Sequence, residues 1–167
     1  MKLFAIAALA ICLPPAAQAQ QNQAPAPSPK PQEPFTPGLG EIMTLQQMRH
    51  LKLWFAGQAG NWPLAGYELD ELKEGFEGVV KYFPTKDDVP TGTMATAVID
   101  KEVVELSKAI EAKDKKQFAA TFDKLTASCN ACHQASKHAF IVIRRPAGNP
   151  YANQSFAPVA GATAHKH

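Results

Sequence analysis

The sequence predicts an all-α protein, an up-down-up-down four-helix bundle, and three observations carry that expectation. Apolar residues from about 39 to 140 recur at helical spacing, with no alternating strand pattern to compete. Proline, glycine and capping residues divide that stretch into four segments joined by short connections. The last segment carries Cys129-Asn130-Ala131-Cys132-His133 on its apolar stripe.

Residues 1–19 read as a signal peptide. Lys2 and the amino terminus form a basic start, Leu3 to Leu13 is apolar, and Ala17-Gln18-Ala19 matches an A-x-A cleavage site. A bilayer span needs about twenty apolar residues, so this shorter run is an export signal, cleaved after Ala19, and the mature chain is expected in the periplasm. A lipoprotein signal ending at Cys12 would want a small residue where Ile11 stands. Cleavage removes Cys12, leaving two of the three cysteines, both in the motif. Residues 20–38 hold six of the 14 prolines and read as an extended, mostly disordered linker.

Helix one is expected from about Glu41 to Ala56. At about 100° per residue, Met43, His50 and Trp54 fall within about 40° of one another, opposite Glu41, Arg49 and Lys52. Met43 and His50 therefore sit mid-way across the buried face, while Met48 lies near its polar border. Helix two starts at the cap Asn61 with Pro63 in its first turn. Its apolar side is Leu69, Leu72, Phe76, Val79, Val80 and Phe83, and Pro84 ends it. Gly75 and Gly78 cost helix stability and point to a close approach by a neighbouring helix or cofactor. Thr93 caps helix three, whose stripe is Ile99, Val103, Leu106 and Ile110. Helix four runs from about Asp114 to Phe140, with Phe118, Phe122, Leu125, Cys129, Cys132, His133 and Phe140 on one side.

The spacing C-x-x-C-H is that of covalent c-type haem attachment. Two thiols one helical turn apart match the two vinyl groups of a haem, and the adjacent imidazole can reach the iron. A redox C-x-x-C would want a βαβ context and zinc a second ligand pair; neither is present. Because Cys129 and Cys132 continue the apolar stripe, one haem c bound there would enter the interior between the helices.

On these residues the chain resembles the cytochrome c′ family and its low-spin four-helix relatives: exported, all-helical, of this size, with C-x-x-C-H on the last helix. Lys137, four residues after His133, falls where that family commonly has a basic residue. The resemblance covers a domain of about residues 39–140. The leader and the extension 141–167 are additional, the extension either folding over the haem edge or remaining disordered. The resemblance implies that His133 is the proximal ligand and that the opposite haem face looks toward helix one. A Met there makes a low-spin electron carrier of raised potential, a His lowers the potential, and an apolar residue leaves an open position. Met43 also reads as core filler, and His50 as a buried histidine or propionate contact. Depth along the helix does not separate the two. The low-spin relatives take a Met near the start of helix one, which selects Met43, with His50 as runner-up. Arg49, Lys52, Arg144 and Arg145 are candidate propionate partners, and His165 and His167 suggest adventitious metal binding at most.

Lys plus Arg is 17 and Asp plus Glu is 15, a near balance that argues against nucleic acid as a partner. No later apolar run is long enough for a membrane span. A peroxidase would want a distal acid–base pair, which one lone His does not supply, so no enzymatic activity is expected. The expectation is a periplasmic monohaem c-type cytochrome passing electrons to a redox partner protein through a His/Met-ligated haem. The alternative is a five-coordinate protein that binds nitric oxide or carbon monoxide. A homodimer is implied by the resemblance alone.

Overall fold

The structure, a computed structural model, describes residues 35–163. The signal peptide, residues 20–34 of the proline-rich segment, and His165 and His167 lie outside them. Among the described residues the secondary structure is helical and no strand is present. Helix α1 spans Leu39–Ala59, α2 Trp62–Tyr82, α3 Thr91–Val98, α4 Val104–Glu111 and α5 Lys115–Ala135. A π-helical segment, Ile99–Val103, joins α3 to α4 without leaving right-handed helical backbone. The described residues therefore form four helical rods, of which α3, the π segment and α4 make the third.

Local chemistry sets the rod ends. Gly60 stops α1 in the left-handed conformation at φ 76°, where a side chain would be strained. The side chain of Asn61 then accepts from the Leu64 amide at 3.2 Å to open α2. Asp114 accepts from the amides of both Lys116 and Gln117 at 2.9 Å to open α5. The third rod starts at Thr91 on Pro90, two residues ahead of the expected cap Thr93.

The last helix ends earlier than its pattern suggests. The His138 amide bonds the His133 carbonyl at 2.7 Å and the Lys137 amide bonds the Gln134 carbonyl at 3.2 Å. With Lys137 at φ 60°, this is a Schellman ending on a non-glycine residue. The turn releases the chain just after the cysteine motif, and Phe140 is 79% exposed rather than part of the core stripe.

Each rod packs on the next, and α5 closes the ring back onto α1, an arrangement compatible with the expected four-helix bundle. Gln46 donates to the Leu72 carbonyl at 2.7 Å and Arg49 to Glu71, so α1 and α2 run antiparallel. Gly57 lies against the Phe118 ring while His50 meets Thr126, so α1 and α5 do too. A Cβ at Gly75 would fall 2.4 Å from Gln46 Oε1, which is the close helix approach that glycine implied. Gly78 meets only Ile42, at an ordinary 3.7 Å.

The main core fills one end of this ring. Leu53, Leu72, Leu106, Phe118, Phe122 and Leu125 are fully buried there. A smaller cluster of Ile42, Val79 and Ala95, with Met43 and Phe76 against it, lies toward the other end. Between Val98 and Val103 the π turn inserts the extra residue that delays the return of the buried stripe. Such bulges concentrate at functional positions.

Beyond α5 the chain turns back along the bundle. Arg145 pairs with Asp123 at 2.5 Å and lies over the Trp54 ring at 4.5 Å. Phe156 is buried against Phe55, and Asn61 donates to the Ala157 carbonyl at 3.1 Å. The described part of the extension thus touches the bundle at Arg145, Phe156 and Ala157, while most of its residues are exposed. No helix among the described residues is long and apolar enough to cross a membrane.

Candidate functional site

The antiparallel packing gathers the start of α1, the end of α2, the start of α3 and the end of α5 at one end of the molecule. They enclose a cavity of about 480 Å³, a volume suited to an organic cofactor. Met43 and His50 of α1 line it, as do Met94 of α3 and Cys129, Cys132 and His133 of α5. Leu72, Phe76, Val79, Ala95 and Val98 make much of the remaining wall apolar. Met43, His50, Cys129, Cys132 and His133 are thus brought together, and Met94 joins them as one that was not foreseen.

His133 is held by the returning tail. Its Nδ1 lies 2.9 Å from the Ile141 carbonyl oxygen. A carbonyl only accepts, so Nδ1 carries a proton, and in the neutral ring Nε2 keeps its lone pair for a ligand bond. One turn earlier, Asn130 Nδ2 donates to the Ile143 carbonyl and Asn130 Oδ1 accepts from the Ile143 amide, both at 2.8 Å.

The two thiols face the cavity unpaired with each other. Burial pushes Cys129 up to about 12, and burial also raises Cys132 against a hydrogen bond with Ser136. A redox C-x-x-C does the opposite, lowering one thiol into the range where thiolate attacks. The local electrostatics therefore disfavour disulfide exchange. A zinc centre is equally poorly served, since no group of three or more His, Cys, Asp or Glu gathers among the described residues.

His50 is already engaged. Thr126 donates its hydroxyl proton to the Phe122 carbonyl at 2.9 Å. Its oxygen must then accept from His50 Nε2, 2.8 Å away. The imidazole stacks on Phe122 with centroids 4.3 Å apart, and burial lowers its pKa to about 4. The ring is neutral and pinned to α5. Met43 is half-buried and makes no polar contact that would have to be broken.

The register between α1 and α5 bears on the same choice. Gly57 opposite Phe118 and His50 opposite Thr126 place the next seven residues of α1, down to Met43, beside the motif itself.

The four basic candidates sit elsewhere. Arg49 binds Glu68 at 3.2 Å and Glu71 at 2.7 Å, and Lys52 lies 3.9 Å from Glu68 and over the Tyr151 ring. Arg145 is committed to Asp123 and Arg144 is exposed. None of the four lines the cavity. Of lysine and arginine its wall carries Lys86, paired with Asp87 at 2.8 Å, and His138 lines it near the turn. No protein-family model matches the chain, and neither a curated protein nor a solved structure matches it.

Proposed function

We propose that the chain is a periplasmic monohaem c-type cytochrome that carries electrons. In this reading Cys129 and Cys132 would hold the haem through thioether bonds, and His133 and Met43 would bind its iron. The observation that carries it is the convergence of both motif thiols, a histidine with its Nε2 lone pair free, and a methionine on one largely apolar cavity.

The residues fit such a group. The thiols are protonated at neutral pH, as addition to vinyl groups starts from S–H, and they sit one turn apart on the same wall. The imidazole is already in the tautomer a metal needs. The apolar wall suits a macrocycle and excludes water from its face. When bound, the haem supplies a one-electron couple between ferric and ferrous iron.

The chain's own contribution is to hold that couple with little rearrangement. His133 is fixed from behind by the Ile141 carbonyl, and α5 fixes both cysteines. A thioether ligand from Met43 would stabilise ferrous iron and raise the potential. Helix placement of Met43 on α1 and of His133 on α5 would keep the same ligand set in either oxidation state, which is what fast electron transfer requires. The resemblance to the cytochrome c′ family supports the same assignment from the sequence side.

Optical spectra of the oxidised and reduced protein test the ligand set. The ferric protein should be low-spin with the weak red charge-transfer band of Met–His ligation. Met43→Ala should abolish the band and yield a high-spin iron that binds carbon monoxide when reduced, while His50→Ala keeps the band. Conversion to high spin by Met94→Ala instead would move the ligand to α3. A haem five-coordinate before any substitution would replace electron transfer with gas binding.

A further inference from the structure

The tail and the motif are joined by a two-point clamp whose geometry follows from two periodicities. Asn130 and His133 are three residues apart on α5 and therefore share a face. Ile141 and Ile143 are two apart on a segment without helical structure. In extended chain, residues i and i+2 direct their backbone groups to the same side. Asn130 meets Ile143 through two 2.8 Å bonds, and His133 meets the Ile141 carbonyl at 2.9 Å. Asp123 and Arg145 continue the same antiparallel order further along α5. A slip of the tail by one residue would turn the carbonyl of residue 141 away from the imidazole.

From this geometry we infer that Asn130, between the two motif cysteines, is a positioning residue that sets the register of the tail so that Ile141 fixes the tautomer and electron donation of His133. This rests on the reading of His133 as a haem ligand. An amide side chain suits the task because it donates and accepts at once, matching the carbonyl and the amide of Ile143 together. A hydrogen bond from Nδ1–H to a carbonyl makes Nε2 a stronger donor to metal. Stronger donation favours the ferric state, so the clamp lowers the reduction potential from what the same ligands give without it.

The test uses the full holoprotein and three variants. Asn130→Ala removes both bonds. Ile143→Pro removes the amide donor from the other partner, at a position outside any helix and without a positive φ. Arg145→Gln loosens the tail downstream and leaves the clamp intact. The readouts are the reduction potential by spectroelectrochemistry and solvent exchange of the paramagnetically shifted His133 ring N–H by NMR.

Asn130→Ala should raise the potential and accelerate that exchange, Ile143→Pro should do the same to a smaller extent, and Arg145→Gln should change neither. Either clamp variant recovered with haem attached decides the matter. A loaded variant with unchanged potential and a protected ring N–H overturns the role of Asn130, as does an equal shift in Arg145→Gln. A protein with no covalent haem would instead refute the cytochrome reading itself.

Discussion

His50 shows how one buried side chain can be assigned by counting protons. Thr126 has a single hydroxyl proton and uses it on the Phe122 carbonyl, so His50 must donate and stays neutral. Its pKa falls from 6.5 to about 4 because burial penalises the charged ring. The unfolded chain therefore binds a proton between those values that the folded chain refuses. Stability from this group is complete above pH 6.5 and is lost as pH falls toward about 4. The loss at pH 4.5 is on the order of 2 to 3 kcal/mol. Glu68 acts in the opposite sense, since burial raises its pKa and acidification relieves that cost. Comparison with His50→Leu isolates the histidine. Denaturant unfolding at pH 7 and pH 4.5 should show the variant losing less stability on acidification than the parent protein by about that amount. Equal losses would mean that His50 is charged or exposed in the fold.

At the scale of elements, the ends of the helices depend on single residues. Lys137 occupies the left-handed position that closes α5, at φ 60°. A side chain there costs about 1 kcal/mol that glycine does not pay. Lys137→Gly should therefore stabilise the protein by up to about 1 kcal/mol in thermal or denaturant unfolding, with the helix ending unchanged. Destabilisation would show that the lysine side chain makes a contact worth more than the strain. The same residue explains why α5 reads five residues too long in the sequence. Nothing but glycine or proline marks a stop strongly, and Lys137 is neither.

The starts of α2 and α5 were legible because Asn61 and Asp114 are strong caps, and the buried faces because their periodicity is regular, except that Val80 and Phe140 are exposed. The π turn at Ile99–Val103 was not, since no residue type announces it and the stripe before and after it remains helical. The tail contacts escaped for a different reason. The groups that bind His133 and Asn130 are backbone carbonyls and an amide, which every residue carries. Met94 was missed because it precedes the stripe from which helix three was recognised.

For the molecule as a whole, the main core occupies one end and the cavity the other. The cavity end has fewer apolar contacts of its own and is bounded by the tail, so its order is coupled to whatever fills it. A ligand that binds only the folded chain adds to stability by mass action, and one joined covalently through α5 does so at every concentration. On the proposed reading the two motif cysteines would link function and fold by placing a haem where the core is incomplete.

The central claim is the covalent haem on Cys129 and Cys132, and one measurement addresses it directly. Full-length protein expressed with haem-maturation machinery is denatured, extracted with acidified organic solvent, and weighed intact by mass spectrometry. The account predicts a chain carrying one haem after extraction, with Cys129→Ala/Cys132→Ala carrying none. A parent chain whose mass is that of the polypeptide alone, or a double variant that keeps its haem through extraction, would contradict it.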